Sequence, residues 1–89
     1  MQPLICVVLA PDPKGGCPAT FYPRALVLAE TDGQLAVHHV YEDDRHAVGS
    51  RGEANGIILP IVQRWLRNKG WRTYEVFFPE GAREKARHL

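Results

Sequence analysis

Residues 24–41 read RALVLAETDGQLAVHHVY, two runs rich in apolar and β-branched side chains on either side of a four-residue turn. Asp32 and Gly33 occupy the centre of the turn, and this dipeptide adopts the positive φ angles that a type I′ hairpin requires. The stretch therefore predicts a β-hairpin with strands at Arg24–Glu30 and Leu35–Tyr41. The pairs that this turn sets are Thr31 with Gln34, Ala29 with Ala36, Leu28 with Val37, Val27 with His38 and Leu26 with His39.

The two faces of the predicted hairpin differ in side-chain size. The small face carries Ala25, Val27, Ala29, Ala36, His38 and Val40. The large face carries Leu26, Leu28, Leu35, Val37, His39 and Tyr41. A helix could cover either face, and because small side chains let a helix approach closely, the small face is favoured.

The segment before the hairpin predicts a central strand and a loop. Leu4–Ala10 reads LICVVLA, an apolar run without alternation, which is typical of a strand covered on both faces. The stretch from Pro11 to Pro23 contains four prolines and two glycines, which remove backbone donors and fix φ. We therefore expect a loop from Pro11 to Pro23.

The segment after the hairpin predicts a loop and then an amphipathic helix. Ser50 and Glu53 fit the S-x-x-E capping box, and Asn55 is a competing cap. The expected end is Lys69, with Gly70 as a left-handed terminator. Pro60 belongs in a first turn, so the start of the helix stays open between these caps. The apolar side of the predicted helix comprises Ile57, Ile58, Leu59, Ile61, Val62, Trp65 and Leu66.

The C-terminal part predicts one more strand, Trp71–Phe78, which Pro79 ends. The tail 80–89 has few apolar residues and is expected to form a short helix or to fray. A helix between two strands of one sheet makes a right-handed crossover, so the last strand should lie parallel to the first. The predicted fold is one α+β domain over residues 1–89, with a mixed four-stranded sheet, β-β-β-α-β order and one helix on one face.

The composition restricts the class of protein. With 89 residues, 45% hydrophobic residues, a net charge of +1 and two cysteines, the chain suits one small domain and neither a disordered nor a disulfide-rich protein. The longest apolar run has seven residues, Leu4 to Ala10, against the roughly 20 that a membrane span needs. We therefore expect a cytoplasmic protein with no membrane partner and no cofactor.

The predicted order of elements resembles the first part of the RNase H fold, and small antitoxin domains of the HicB type are similar to such a truncated version. The resemblance covers Leu4 to Phe78 in element order. For a metal-dependent phosphodiester hydrolase it implies acids near the ends of the elements, and the corresponding residues are Asp12, Glu53 and Glu80. The helix face that carries an acid in the nuclease family reads Ile57, Ile58, Leu59 in this sequence, which favours a non-catalytic relative used for binding.

Histidine and cysteine suggest two further kinds of site. Imidazole and carboxylate ligands suit zinc, iron or manganese, and His39 with Asp43 or His46 is a candidate metal site. His38 cannot easily share an ion with His39, because adjacent strand side chains point to opposite faces. Cys17, near a lysine in the proline-rich loop, is a candidate nucleophile, with an inert loop thiol as the alternative.

Basic residues concentrate in the C-terminal part. Residues 1–63 contain four Lys and Arg against seven acids, whereas residues 64–89 contain seven against three, giving net charges of −3 and +4. The candidate nucleic-acid-binding residues are Arg64, Arg67, Lys69 and Arg72. The alternative is the polar face of a helix whose terminal cations favour the macrodipole.

The predicted sheet also has a face that one helix cannot cover. Its apolar side chains need another cover, which the tail, the proline-rich loop or a partner subunit would supply, and we expect self-association or binding of a partner. The expected function is therefore a non-catalytic interaction or regulatory module that binds a protein partner or nucleic acid, with the hydrolase as the alternative.

Overall fold

A computed structural model describes residues 2–12 and 20–89. The elements in chain order are β1 (Leu4–Pro11), β2 (Phe21–Thr31), β3 (Gln34–Glu42), α1 (Arg51–Asn68), β4 (Thr73–Phe77) and β5 (Arg87–His88). The strands form one mixed sheet in the order β3-β2-β1-β4-β5. β1 and β4 are parallel, and the other neighbouring strands are antiparallel. The predicted α+β class and the parallel β1–β4 pair are confirmed.

The predicted number of strands is wrong, because the described sheet has five strands and not four. Gly81, with a φ of 85°, turns the chain after Phe78, and the tail then returns along β4. Backbone hydrogen bonds from Glu84 N to Val76 O (3.0 Å) and from Leu89 N to Arg72 O (2.8 Å) hold it there. The tail therefore satisfies its backbone groups at a sheet edge, where a helix or a frayed end was expected.

The hairpin turn is confirmed, but the predicted register holds only near the turn. Asp32 and Gly33 have φ angles of 53° and 80°. The register shifts between Val27 and Leu28, so that Leu28 pairs with Val37 while Val27 pairs with His39. His38 is the extra residue of a β-bulge, and all side chains of β3 after it change face relative to the prediction.

α1 begins at the predicted capping box. Ser50 is the N-cap, and its side chain accepts a hydrogen bond from Glu53 N at 3.2 Å. The helix continues through Pro60, and Lys69 is its C-cap. Gly70, with a φ of 85°, is the predicted left-handed terminator. No helix among the described residues is long and apolar enough to cross a membrane.

The core lies between α1 and one face of the sheet. β2 contributes Ala25 and Val27, and α1 contributes mainly Ile58, Val62 and Leu66, all completely buried. The helix thus covers the small face of β2, as predicted. Because of the bulge, His39 and Tyr41 replace His38 and Val40 on the covered side of β3. β2 also begins at Phe21, within the predicted loop, and Pro23 takes part by accepting a hydrogen bond from Asp43 N at 3.1 Å.

Candidate nucleic-acid interface

The four basic residues singled out from the sequence lie where α1 ends and β4 begins. Arg64 and Arg67 are exposed on the side of α1 that faces away from the sheet, three residues apart and therefore neighbours on the helix surface. Lys69 caps the helix, and Arg72 immediately precedes β4. We call these four residues the basic end.

The turn after α1 holds Arg72 close to the last helical turn. Gly70 N donates to Arg67 O at 3.0 Å, and Trp71 N donates to Leu66 O at 3.1 Å. These bonds satisfy carbonyls that a helix end otherwise leaves open. The chain folds back at this point, so all four residues of the basic end lie at the same end of α1.

The basic end has no acidic partner among the described residues, in contrast to four of the five other arginines. Across residues 2–12 and 20–89, the arginine ion pairs are Arg24 with Glu42, Arg51 with Glu80, Arg83 with Glu75 and Arg87 with Glu84. No residue of the basic end forms an ion pair with a described carboxylate, and all ten acidic residues of the chain are among those described. The positive charge of this surface is therefore not neutralised from within the chain.

The helix macrodipole accounts for only part of this surface. A cation stabilises a helix end within the last turn, which applies to Arg67 and Lys69. Arg64 precedes that turn, and Arg72 follows the helix. The macrodipole therefore does not account for these two residues, although Arg64 belongs to the polar, solvent-facing side of α1.

Aromatic rings lie next to the basic end. The Lys69 ammonium group lies 5.5 Å from the centroid of the Trp65 ring. Trp65 also stacks on His39, with ring centroids 5.8 Å apart, and the ring centroids of His39 and Tyr41 are 4.3 Å apart. This column was not foreseen, because the unbulged register placed His39 on the opposite face. The signal was present in the sequence, since apolar residues occupy odd positions at Leu35 and Val37 but an even position at Val40.

The candidate catalytic acids Glu53 and Glu80 make contacts that stabilise the fold. Glu53 belongs to the helix cap, with Ser50 Oγ 3.4 Å from its Oε1. Glu80 forms an ion pair with Arg51, whose guanidinium also lies 4.7 Å above the Phe78 ring. Asp12 directly follows β1. A cavity of about 220 Å³ adjoins the Arg51–Glu80 pair, and its other lining residues are Val7, Val8, Leu9, Phe78 and Pro79.

The candidate metal ligands are divided between two places. Asp43 and His46 are in contact, with Oδ2 and Nδ1 3.0 Å apart, whereas the ring of His39 lies against Trp65 of α1. Nowhere in the described ranges do three or more His, Cys, Asp or Glu side chains form a group that could hold a metal ion.

The Asp43 carboxylate organises the loop after β3. Its partial burial raises the pKa, but hydrogen bonds from the His46 side chain and from the His46 and Arg45 amides outweigh this effect. The pKa of Asp43 is therefore lowered. Cys6 is buried, and burial raises the pKa of its thiol, whereas Cys17 lies outside the described residues.

No family model, curated protein or solved structure matches this chain.

Proposed function

We propose that this protein is a non-catalytic binding module whose target is a nucleic acid, contacted through the basic end. The observation that carries the proposal is the contrast between two groups of arginines. Arg64, Arg67 and Arg72 are exposed at the end of α1 without a described acidic partner. Arg45, after β3, likewise forms no ion pair with a described carboxylate, while the four remaining arginines are each paired with a glutamate. Planar guanidinium groups bind phosphate through paired hydrogen bonds, so a phosphate backbone supplies the missing partners.

A nucleic acid fits this surface better than an anionic membrane does. A helix that binds a membrane surface inserts an apolar face between the lipids. The main apolar face of α1, including Ile58, Val62 and Leu66, is already buried against the sheet. The Trp65 ring beside Lys69 adds an aromatic group of the kind that nucleic-acid-binding surfaces place among cations.

A binding role without catalysis agrees with the contacts of the candidate catalytic residues Glu53 and Glu80. Glu80 is neutralised by Arg51, and Glu53 is engaged at the helix N-terminus. Hydrolysis assisted by two metal ions instead needs carboxylates that are free to hold cations. The hydrolase alternative therefore gains no support from the contacts of these two residues.

The proposal is tested by titrating the protein into fluorescently labelled single-stranded and duplex oligonucleotides and measuring anisotropy at several salt concentrations. If all four cations contact phosphates of a single strand, log K should fall with log salt with a slope of about −3, and removal of one contact should reduce the slope by about 0.7. We expect this change in Arg64→Gln. Arg45→Gln is the matched control, because Arg45 is also exposed but follows β3 at the other end of the sheet.

Three results would overturn the proposal. The first is no binding to either oligonucleotide at low salt, and the second is an equal loss of affinity in Arg64→Gln and Arg45→Gln. The third is binding to vesicles of anionic lipid in the absence of any binding to the oligonucleotides.

A further inference from the structure

The cavity of about 220 Å³ lies beside β1, where β4 has already ended. β4 pairs with the first three residues of β1, which has eight. Pro79 has no N–H group to extend this pairing, and a 2.8 Å hydrogen bond from Gly81 N to Phe78 O turns the chain towards β5. The cavity therefore occupies space that a longer β4 would fill, and we call it the β1 cavity.

The walls of the β1 cavity are mainly apolar. They are formed by Val7, Val8, Leu9, Phe78 and Pro79. An apolar cavity of about 150 Å³ can hold benzene, whereas pockets for drug-sized ligands measure roughly 300–1,000 Å³. The β1 cavity therefore fits an apolar group of about the size of one ring, and it is too small for a larger ligand.

The backbone of Leu9 directs a hydrogen-bond donor to the cavity side of β1. Asp43 N donates to Pro23 O, so the backbone of Pro23 is directed towards β3. Leu9 is the partner of Pro23 in the antiparallel pair, and its backbone is therefore directed away from β2, to the side of β4 and the cavity. Among the described residues, no backbone hydrogen bond outside the helix and the strands involves Leu9. Within this part of the chain, its N–H group is available to a ligand.

An ion pair between Arg51 and Glu80 lies at the mouth of the β1 cavity. The two side chains are 49% and 50% exposed. The Arg51 guanidinium also lies 4.7 Å from the centroid of the Phe78 ring, which forms part of the cavity wall. A charged group is thus held directly beside the apolar surface of the cavity.

The position of Arg51 favours an anion next to it. Arg51 is the first residue of α1, and the positive end of the helix macrodipole makes a cation unfavourable there. In the structure the Glu80 carboxylate supplies the negative charge. Ion pairs between exposed side chains contribute little to stability, so another carboxylate can replace that of Glu80. A ligand with an apolar body gains in addition from burying that body in the cavity.

We propose that the β1 cavity binds a small carboxylic acid whose apolar body is about the size of one benzene ring. Its carboxylate replaces that of Glu80 at Arg51, and its apolar body lies against Leu9 and Phe78. A neutral molecule of the same shape would gain nothing from the guanidinium. This site is separate from the basic end, and the proposal does not rest on nucleic-acid binding.

The test is a titration of the isotope-labelled full chain with benzoate, followed by NMR. Benzamide is the matched neutral compound, and acetate has the charge without the ring. We expect a Kd for benzoate of about 1 mM, which is about tenfold or more below the Kd for benzamide and for acetate. The largest amide shifts should occur at Leu9, Arg51 and Phe78.

Two substitutions should change the affinity for benzoate in opposite directions. Glu80→Gln removes the carboxylate that competes for Arg51, so the Kd should fall about threefold. Arg51→Gln removes the guanidinium, so the Kd should rise about tenfold. Glu75→Gln is the matched control, because Glu75 also pairs with an arginine, Arg83, but does not line the cavity. It should leave the Kd unchanged.

Equal affinities for benzoate and benzamide overturn the proposal, and so does the absence of any shift with benzoate at about tenfold the expected Kd. An equal fall of the Kd in Glu80→Gln and Glu75→Gln shows that net charge alone attracts benzoate, which contradicts the site. Largest shifts at Arg64 and Arg67 place benzoate at the basic end and also contradict it. If Arg51→Gln does not fold, the comparison of benzoate with benzamide on the wild type and the Glu80→Gln variant decides.

Discussion

The imidazole ring of His39 stacks on the indole ring of Trp65, with the ring centroids 5.8 Å apart and 24° between the planes. This contact joins the edge strand β3 to α1. It depends on the bulge, because His39 points towards the helix only if His38 is left out of the regular pairing. One extra residue in β3 thus determines which side chains meet the helix.

Deletion of one of the two adjacent histidines should therefore be tolerated. The shortened strand pairs Leu28 with Val37, Val27 with the remaining histidine and Leu26 with Val40, which keeps every apolar side chain on its present face. We expect unchanged far-UV circular dichroism and Trp65 fluorescence, and a loss of no more than about 1 kcal/mol in the free energy of unfolding. That loss corresponds to the 2.8 Å hydrogen bond between Thr31 Oγ1 and His38 Nε2.

The point variant His38→Ala is the control for this deletion. It removes the contact with Thr31 but retains the bulge, so it should lose a similar amount of stability. An unfolded deletion variant beside a stable His38→Ala would show that the bulge itself is required.

Local signals were readable from the sequence, whereas distant pairings were not. The turn at Asp32 and Gly33 and the cap at Ser50 depend on neighbouring residues, and both were predicted correctly. β5 is held by backbone bonds such as the one from Leu89 to Arg72, and no local pattern specifies them. The bulge in β3 is partly readable from the sequence. Its only signal is that the apolar residues of the strand shift from odd to even positions after Val37.

The candidate site shows the same division. The sequence identifies the basic residues, because charge can be counted. It does not show that Arg51 is neutralised by Glu80, 29 positions later in the chain, while Arg64 has no acidic partner among the described residues. Tertiary structure decides which cations are available to a ligand.

Replacing glycine by alanine should have opposite effects at two positions. A Cβ atom added at Gly33 or at Gly56 would meet nothing within 4 Å, so steric clashes do not explain a difference between the two variants. Gly56 lies within α1, and Gly56→Ala should raise the free energy of unfolding by about 1 kcal/mol. Gly33 has a φ of 80°, which disfavours any residue with a Cβ atom. Gly33→Ala should therefore lower the free energy of unfolding by about 1 kcal/mol. Urea denaturation of both variants tests this, and changes of the same sign would contradict it.

The contribution of Asp43 to stability should disappear in acid. Because its pKa is lowered on folding below the usual 3.8, the ionised carboxylate stabilises the folded state above that value. This stabilisation is lost as the pH falls through the folded pKa. The difference in unfolding free energy between wild type and Asp43→Asn should be largest above about pH 4.5 and decrease below about pH 4.

Asp44→Asn is the control for this measurement, because it removes the same charge from the adjacent position. The change in the pH dependence of stability should be larger in Asp43→Asn than in Asp44→Asn, because the Asp43 carboxylate accepts the hydrogen bonds from Arg45 and His46. A difference between wild type and Asp43→Asn that stays constant down to about pH 2.5 would show that hydrogen bonding to His46 does not depend on the charge of Asp43.

The buried hydroxyl of Tyr74 should show the asymmetry between removing one partner of a hydrogen bond and removing both. Tyr74 is completely buried, and its oxygen accepts a 2.6 Å hydrogen bond from Gln63 Nε2. Tyr74→Phe leaves the partly buried amide of Gln63 without this acceptor, and the expected loss is about 1–2 kcal/mol. Adding Gln63→Met replaces that amide with an apolar side chain of similar length, so the double variant should regain part of the stability. Thermal and urea unfolding of the two single variants and the double variant form a double-mutant cycle. Strictly additive losses of unfolding free energy would mean that the two side chains do not stabilise each other.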